Sequence, residues 1–329
     1  MYSDLPLAVS LLFITFGLWL LAWSANKFVD GSAGIAKKLG IAPFIIGMVV
    51  IGFGTSAPEM AVSALSAAGG HADICIGNAY GSNIYNIAVI MGVAALIRPM
   101  ATRSATALAS ATLLIIVSLL AGFLVWRGGM VSRTDAIFHL LAFALLLPIS
   151  CWLERITGGG ASNNGTTDAT PVSHPWFWAI CGLVLLILSS HLLVWGAVDL
   201  ARQLGVSELM IGLTIVAAGT SLPELASAIV SARKGQHDFV LGNIVGSNFF
   251  NTLAVVGLSG TIQPFEIKSP HVLTRDLPVM ILLSLTIAVF GCSRKIFKGE
   301  GRIGRIKGAL WLLSFIAYMI IMAIQECKA

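Results

Sequence analysis

The sequence carries little charge. Only 11% of its 329 residues are Asp, Glu, Lys or Arg, whereas 57% are apolar, and the mean hydropathy is +0.90. A soluble domain of this length needs a larger polar surface, and disordered chains combine low hydrophobicity with high charge. The composition therefore excludes both classes and predicts an all-α polytopic membrane protein surrounded by the lipid bilayer.

Cysteine and histidine are also sparse. The five cysteines stand singly, without the spacing of a zinc site or a disulfide framework, and the six histidines form no cluster in the sequence. The 20 Lys and Arg residues fall between apolar runs and form no basic stripe with aromatic residues. We therefore predict no cofactor and no nucleic-acid partner, and the sequence indicates no obligatory protein partner.

Ten apolar stretches reach or approach the roughly 20 residues that a membrane-spanning helix needs. They lie at about 7–26, 41–68, 74–97, 105–126, 136–153, 176–200, 206–232, 239–262, 277–292 and 308–324. A segment at 156–174, rich in Gly, Ser, Thr and Asn, is typical of a flexible linker. It divides the chain into two five-helix halves, 1–155 and 175–329.

The basic residues also predict the orientation in the membrane. With both termini outside, 14 of the 20 Lys and Arg residues lie in or beside cytoplasmic loops and six lie outside. Cytoplasmic loops carry an excess of Lys and Arg. We therefore expect both termini outside.

An internal repeat dominates the pattern of polar residues. Residues 41–99 superpose on 206–264 at a constant offset of 165 without a gap. Each half holds an odd number of helices, so the two copies insert with opposite orientation, as in the inverted repeats of many secondary transporters. The matching motifs are Gly-Thr-Ser-x-Pro-Glu at 54–59 and 219–224, and Gly-Asn-x-x-Gly-Ser-Asn-x-x-Asn at 77–86 and 242–251.

The second motif begins with glycines four residues apart. Gly77 and Gly81 stand in one copy, and Gly242 and Gly246 in the other. Small residues at this spacing let the backbones of membrane helices approach closely. We predict a packing role for these four glycines.

One glutamate of each copy lies in the middle of an apolar stretch. A carboxylate at that depth needs a partner or a cation. A single such residue could be a protonated Glu bonded to a neighbouring helix, but the matched pair Glu59 and Glu224 favours ion ligands. Thr55 and Thr220 precede them by four residues, which places a hydroxyl beside each carboxylate on one helix face.

Each glutamate follows a proline directly. Pro58 and Pro223 have no amide hydrogen, and their rings clash with the carbonyls of Gly54 and Gly219, so each helix is expected to kink or unwind at mid-membrane. The released carbonyls are further candidate ligands for a cation. The alternative is a kink that serves packing alone.

The remaining candidate ligands are hydroxyl and amide oxygens of the same motifs. All are hard ligands, which suit calcium or sodium better than the softer metals, whereas magnesium tends to retain its water. They are Ser56, Ser221, Ser82, Ser247, Asn86 and Asn251.

The two motif pairs resemble the alpha repeats of the sodium/calcium exchanger family, within the calcium/cation antiporter superfamily. The short linker resembles the compact prokaryotic branch. The resemblance implies a ten-helix fold in which helices two, three, seven and eight surround the ion sites while helices one and six slide. It also implies a bacterial inner (plasma) membrane location.

The resemblance further implies individual roles. Glu59 and Glu224 would bind both ions, Thr55 and Thr220 would add ligands, and the four serines would complete sodium sites. The carbonyls of Gly52 and Ala217, three residues before each threonine, would join them. Family members often carry Asp at one of the positions of Asn86 and Asn251, whereas both are Asn here.

The resulting functional prediction is an antiporter that exchanges sodium for calcium by alternating access. A proton-coupled calcium exchanger of the same superfamily is the main alternative. A cation channel is less compatible with inverted repeats. An intramembrane enzyme would need a nucleophile or a water-activating metal, and the sequence indicates neither.

Overall fold

The computed structural model describes residues 6–70, 73–156, 172–206, 215, 217–267, 269–292 and 300–326. We number the helices in chain order and treat the seventh as two pieces, α7a and α7b. The bounds are α1 Leu7–Leu39, α2 Pro43–Ala68, α3 Cys75–Ile97, α4 Ser104–Gly128, α5 Arg133–Arg155, α6 Pro175–Gln203, α7a Ala217–Thr220, α7b Leu222–Arg233, α8 His237–Ile262, α9 Val272–Gly291 and α10 Arg305–Gln325.

In the described part of the chain, nine helices are long and apolar enough to cross a membrane. The chain is an integral membrane protein. The predicted span at 206–232 falls partly outside the described residues, and α7a and α7b are the pieces of it that are described. Most of the predicted linker, 157–171, also lies outside them, so ten spans and the linker remain predictions.

The first helix is longer than predicted, because it continues beyond residue 26 to Leu39. Two polar side chains in the added turns have partners on other elements. The Lys27 ammonium lies 4.5 Å from the ring centre of Trp178, and Asp30 pairs with Lys234 at 2.6 Å. The helix ends at Gly40, whose φ of 63° suits a glycine cap.

Helices α1 and α6 pack backbone to backbone through glycines. As the residue numbers of the contacts increase along α1, those of their partners in α6 decrease, so the two helices are antiparallel. The contacts also come in pairs related by the 165-residue offset of the repeat. Gly17 lies against Leu193 and Gly182 against Phe28, and Gly31 lies against Ala179 and Gly196 against Ile14.

Four short strands, which the all-helical prediction did not include, join the two halves. β1 (Met100–Arg103) pairs antiparallel with β4 (Glu300–Ile303), and β2 (Met130–Val131) pairs with β3 (Phe265–Glu266). Each pair combines one loop from either half. β1 and β3 begin the equivalent loops after α3 and α8. Each of these two strands pairs with a strand from the other half of the chain.

Helix α8 lies at the centre of the bundle. It is buried along its apolar length, whereas α5 and α10 expose most of theirs. The largest core cluster gathers side chains of α2, α3 and α8 with α9 and α10. The core thus surrounds the repeated motifs.

Two ion pairs of equal length differ in their exposure. Arg103 lies 2.6 Å from Glu154, whose side chain is 3% exposed, and Lys234 lies 2.6 Å from Asp30, whose side chain is 37% exposed. Breaking a buried pair leaves an uncompensated charge, whereas an exposed pair contributes little.

We expect Glu154→Gln to lower the free energy of unfolding by about 2–3 kcal/mol. Asp30→Asn should change it by less than about 1 kcal/mol. Thermal unfolding of the detergent-purified variants measures both. Equal midpoints for the two variants would contradict this ranking.

Candidate ion-binding site

The two motif glutamates lie buried, each 1% exposed, and each is contacted by the other copy. Ser56 Oγ donates to Glu224 Oε1 at 3.2 Å, and Ser221 Oγ donates to Glu59 Oε1, also at 3.2 Å. The two bonds are the same contact with the copies exchanged. Helix α2 and the break between α7a and α7b therefore meet at one polar centre.

Four oxygens of the predicted ligands lack a hydrogen-bond partner among the described residues. They are buried, and leaving a polar group in that condition costs free energy that a bound cation would recover. They are Glu59 Oε2, Glu224 Oε2, Asn86 Oδ1 and Asn251 Oδ1. The donor set fits a hard cation, because all four are carboxylate or amide oxygens.

The asparagines sit where helices α3 and α8 widen. Asn86 begins a π-helical segment, Asn86–Met91, and Asn251 lies in a second one, Phe250–Val255. Single π-helical turns inside longer helices are frequent at functional sites. In both copies the widened turn carries a candidate amide ligand.

Two of the hydroxyls predicted as ligands donate to nearby carbonyl oxygens. Thr55 Oγ1 donates to Ile51 O at 2.9 Å, and Ser247 Oγ donates to the Gly52 carbonyl at 3.4 Å. Ser82 is buried, and Thr220 lies half-buried at the end of α7a. The predicted carbonyl of Gly52 is thus near the predicted hydroxyl of Ser247, whereas Ala217 is described only as the first residue of α7a.

The two proline positions differ in structure. Pro58 lies inside a continuous helix, Gly52–Ala68, which follows a π-helical segment at Gly47–Ile51. Near Pro223 the helix is interrupted, because Ser221 separates α7a from α7b.

Other asparagines of the motif, which we did not predict as site residues, connect the copies. Asn86 Nδ2 donates to Asn248 Oδ1 at 3.0 Å, and Asn83 Nδ2 donates to Thr252 Oγ1 at 2.6 Å. Thr55 Oγ1 of the first copy donates to Asn243 Oδ1 of the second at 3.3 Å. Their place inside the repeated motif is the signal that could have identified them.

The predicted glycine packing is present in the second copy. A Cβ on Gly242 would lie 2.3 Å from the Phe44 carbonyl oxygen, and one on Gly246 would lie 2.2 Å from that of Met48. For Gly77 and Gly81, no described atom lies within 4 Å of such a position. Among the described contacts, the close packing is therefore that of α8 on α2, through Gly242 and Gly246.

Comparison with known proteins gives a family match over nearly the whole chain. The family described as sodium/calcium exchanger protein matches residues 9–152 and 174–324. The chain belongs to the sodium/calcium exchanger family. This is a family of transporters, and the resemblance predicted from the motifs is confirmed.

Several relatives of this exchanger-family chain align over its full length. It is 40% identical to CaxA of Alkalimonas amylolytica, covering 95% of this chain and 98% of the relative. It is 37% identical to the inner membrane protein YrbG of Escherichia coli, with coverages of 96% and 97%. It is 29% identical to the sodium/calcium exchanger MaX1 of Methanosarcina acetivorans, with coverages of 96% and 99%.

The fold matches a solved exchanger. The sodium-calcium exchanger NCX_Mj, in a structure soaked with Na+ and Sr2+, superposes with a TM-score of 0.80 at 28% sequence identity. The match covers 97% of this chain and 99% of that one. The helical membrane architecture is therefore that of this exchanger.

Proposed function

We propose that this protein is a secondary antiporter that exchanges sodium for calcium across the membrane by alternating access. The observation that carries the proposal is the reciprocal contact of Glu59 and Glu224. Each is buried, each accepts a bond from the other copy, and each keeps one unpartnered carboxylate oxygen. Family membership supports the same activity.

Inverted repeats of five helices each are part of the proposal. The antiparallel contacts of α1 with α6 support an opposite orientation of the two halves, because they recur in pairs at the repeat offset. The exchange of strand partners between the halves supports it as well. Such repeats place a binding site at their interface near the bilayer midplane.

The charge of the site gives a reason for exchange. Two ionised glutamates carry two negative charges, which one Ca2+ or two Na+ would balance. Calcium and sodium would then compete for overlapping positions. An empty site would carry two uncompensated charges in the membrane interior, which is too costly for it to change access from one side to the other. The return step would therefore require the other ion to be bound.

The ligand set follows from the positions described above. Glu59 and Glu224 would bind both ions, and the motif hydroxyls, Asn86 and Asn251 would complete the shell. The carbonyls freed by the prolines would supply further oxygens. With Asn at both amide positions, the site holds two carboxylates and no third one.

We also propose a bacterial inner membrane location with both termini outside. The distribution of Lys and Arg supports this orientation. The 37% identity to a protein named for the inner membrane of Escherichia coli supports the location.

Proton coupling is the second candidate. A buried glutamate with an unpartnered oxygen could carry a proton in place of sodium. The serines that contact both carboxylates favour sodium, because hydroxyl oxygens are sodium ligands that a proton would not need.

The test is radioactive calcium uptake into proteoliposomes loaded with sodium and diluted into sodium-free buffer. We expect uptake that requires internal sodium and is absent when choline replaces it. Uptake driven by a pH gradient alone would favour proton coupling instead. No calcium flux under either gradient would contradict the proposed function.

A further inference from the structure

One hydrogen bond links α6 to the broken helix of the site. Ser190, 5% exposed, donates from its Oγ to the carbonyl oxygen of Gly219 at 3.0 Å. Helical geometry would pair that carbonyl with the amide of residue 223, which is a proline and has no N–H. Ser190 therefore supplies the donor that the proline removes.

The packing around Gly219 keeps this bond enclosed. A Cβ on Gly219 would lie 2.4 Å from Val194 Cγ2, so α6 approaches the glycine directly. Ser190 and Val194 are four residues apart and lie on one face of α6. The hydroxyl and the methyl group together fix the last turn of α7a, which ends in the candidate ligand Thr220.

Among the described residues, the first half shows no equivalent bond. The 165-residue offset relates Ser190 to Ala25 of α1, which is fully buried and has no hydroxyl. Beside Gly54, the nearest side-chain atoms to an added Cβ belong to Leu183 and Phe28, both hydrocarbon. The Gly219 carbonyl thus accepts a hydrogen bond from a serine, whereas hydrocarbon side chains pack beside Gly54.

We propose that Ser190 is a positioning residue for the second half of the ion site. It orients the Gly219 carbonyl and the adjoining turn through Thr220, and so makes ligand geometry in this half depend on where α6 lies. This inference rests on the proposed function. It adds to that function an element outside the two repeated motifs and present in only one half.

Loss of the hydroxyl should weaken ion binding. Without Ser190 the buried carbonyl lacks a donor and the ligand turn is no longer fixed before an ion arrives, so ordering it would cost binding free energy. We expect Ser190→Ala to raise the half-saturating calcium concentration about threefold to tenfold. The maximal rate should change less.

The neighbouring serine provides a matched control. Ser189 is equally buried, but its Oγ donates to Leu186 O of its own helix at 2.9 Å. Ser189→Ala removes a hydroxyl from the same turn without touching α7a. We expect its half-saturating concentration to equal that of the wild type.

The experiment measures initial rates of calcium uptake into proteoliposomes against calcium concentration for the wild type, Ser190→Ala, Ser189→Ala and Ser190→Thr. Restoration by Thr would support the positioning role, since Thr retains the hydroxyl. Ser190→Cys, which keeps the size but donates weakly, should be intermediate and replaces the Ala variant if that fails to fold.

Equal half-saturation for Ser190→Ala and Ser189→Ala would overturn the inference. A wild type without sodium-driven uptake would instead contradict the proposed function. In that case the same four curves, recorded with the gradient that does drive uptake, still test Ser190.

Discussion

The single variants Glu59→Gln and Glu224→Gln should each abolish calcium exchange. Gln keeps the shape and the Oε1 acceptor that the facing serine uses, but it removes one negative charge and replaces the second carboxylate oxygen with an NH2 group. Two unit charges at 4 Å interact by about 4 kcal/mol at an effective dielectric of 20, and calcium carries two positive charges, so calcium affinity should fall by a factor of about a thousand or more. Sodium-driven calcium uptake into proteoliposomes measures the effect.

The control is the same change at an exposed acid. Asp30→Asn removes a carboxylate of α1 that is 37% exposed and pairs with Lys234. We expect uptake close to that of the wild type. Because Gln could also disturb folding, elution as a monodisperse protein and an unchanged unfolding midpoint must accompany the loss of uptake. Normal uptake by either Gln variant would remove that glutamate from the site.

A methyl group on Gly246 should cause a large loss of stability. The added Cβ would lie 2.2 Å from the Met48 carbonyl oxygen and 2.8 Å from its Cα, and both atoms belong to backbone. No rotamer change relieves such a contact, so α8 and α2 must separate. We expect Gly246→Ala to reduce the free energy of unfolding by about 3 kcal/mol, the upper end for overpacked cores.

The control is Gly128, an exposed residue at the end of α4. A Cβ there would lie 3.7 Å from Met130 Cγ, which is an ordinary van der Waals distance. We therefore expect Gly128→Ala to be close to neutral. Thermal unfolding of the purified proteins measures both variants. A Gly246→Ala midpoint equal to or above that of Gly128→Ala would show that the α2–α8 contact yields more easily than its geometry indicates.

The sequence was most informative where it was repeated. Polar residues and glycines that recur at one offset have few reasons to do so in apolar helices, so Glu59 and Glu224 could be identified without a structure. The prediction could not give their partners. That Ser56 faces Glu224, and not the glutamate of its own helix, depends on how the two copies meet in space.

Features outside the repeat were harder to predict. The extension of α1 places Lys27 and Asp30 against Trp178 and Lys234, which are distant in sequence. The strands are too short to leave a periodic pattern, and their partners lie in the opposite half. Ser190 gave no signal because its role arises from Gly219, whose carbonyl needs a donor only once the helix is assembled.

The enclosure of α8 has a consequence for biogenesis. A helix that leaves the translocon alone must be stable among lipids, yet α8 carries three asparagines and is buried along its apolar length in the finished bundle. The outer helices α5 and α10 suit lipid on their own. α8 reaches a stable environment only when its glycines pack against α2 and its asparagine amides bond to α3. Both of those helices belong to the first half, so the bundle is completed only after the second half has been synthesised.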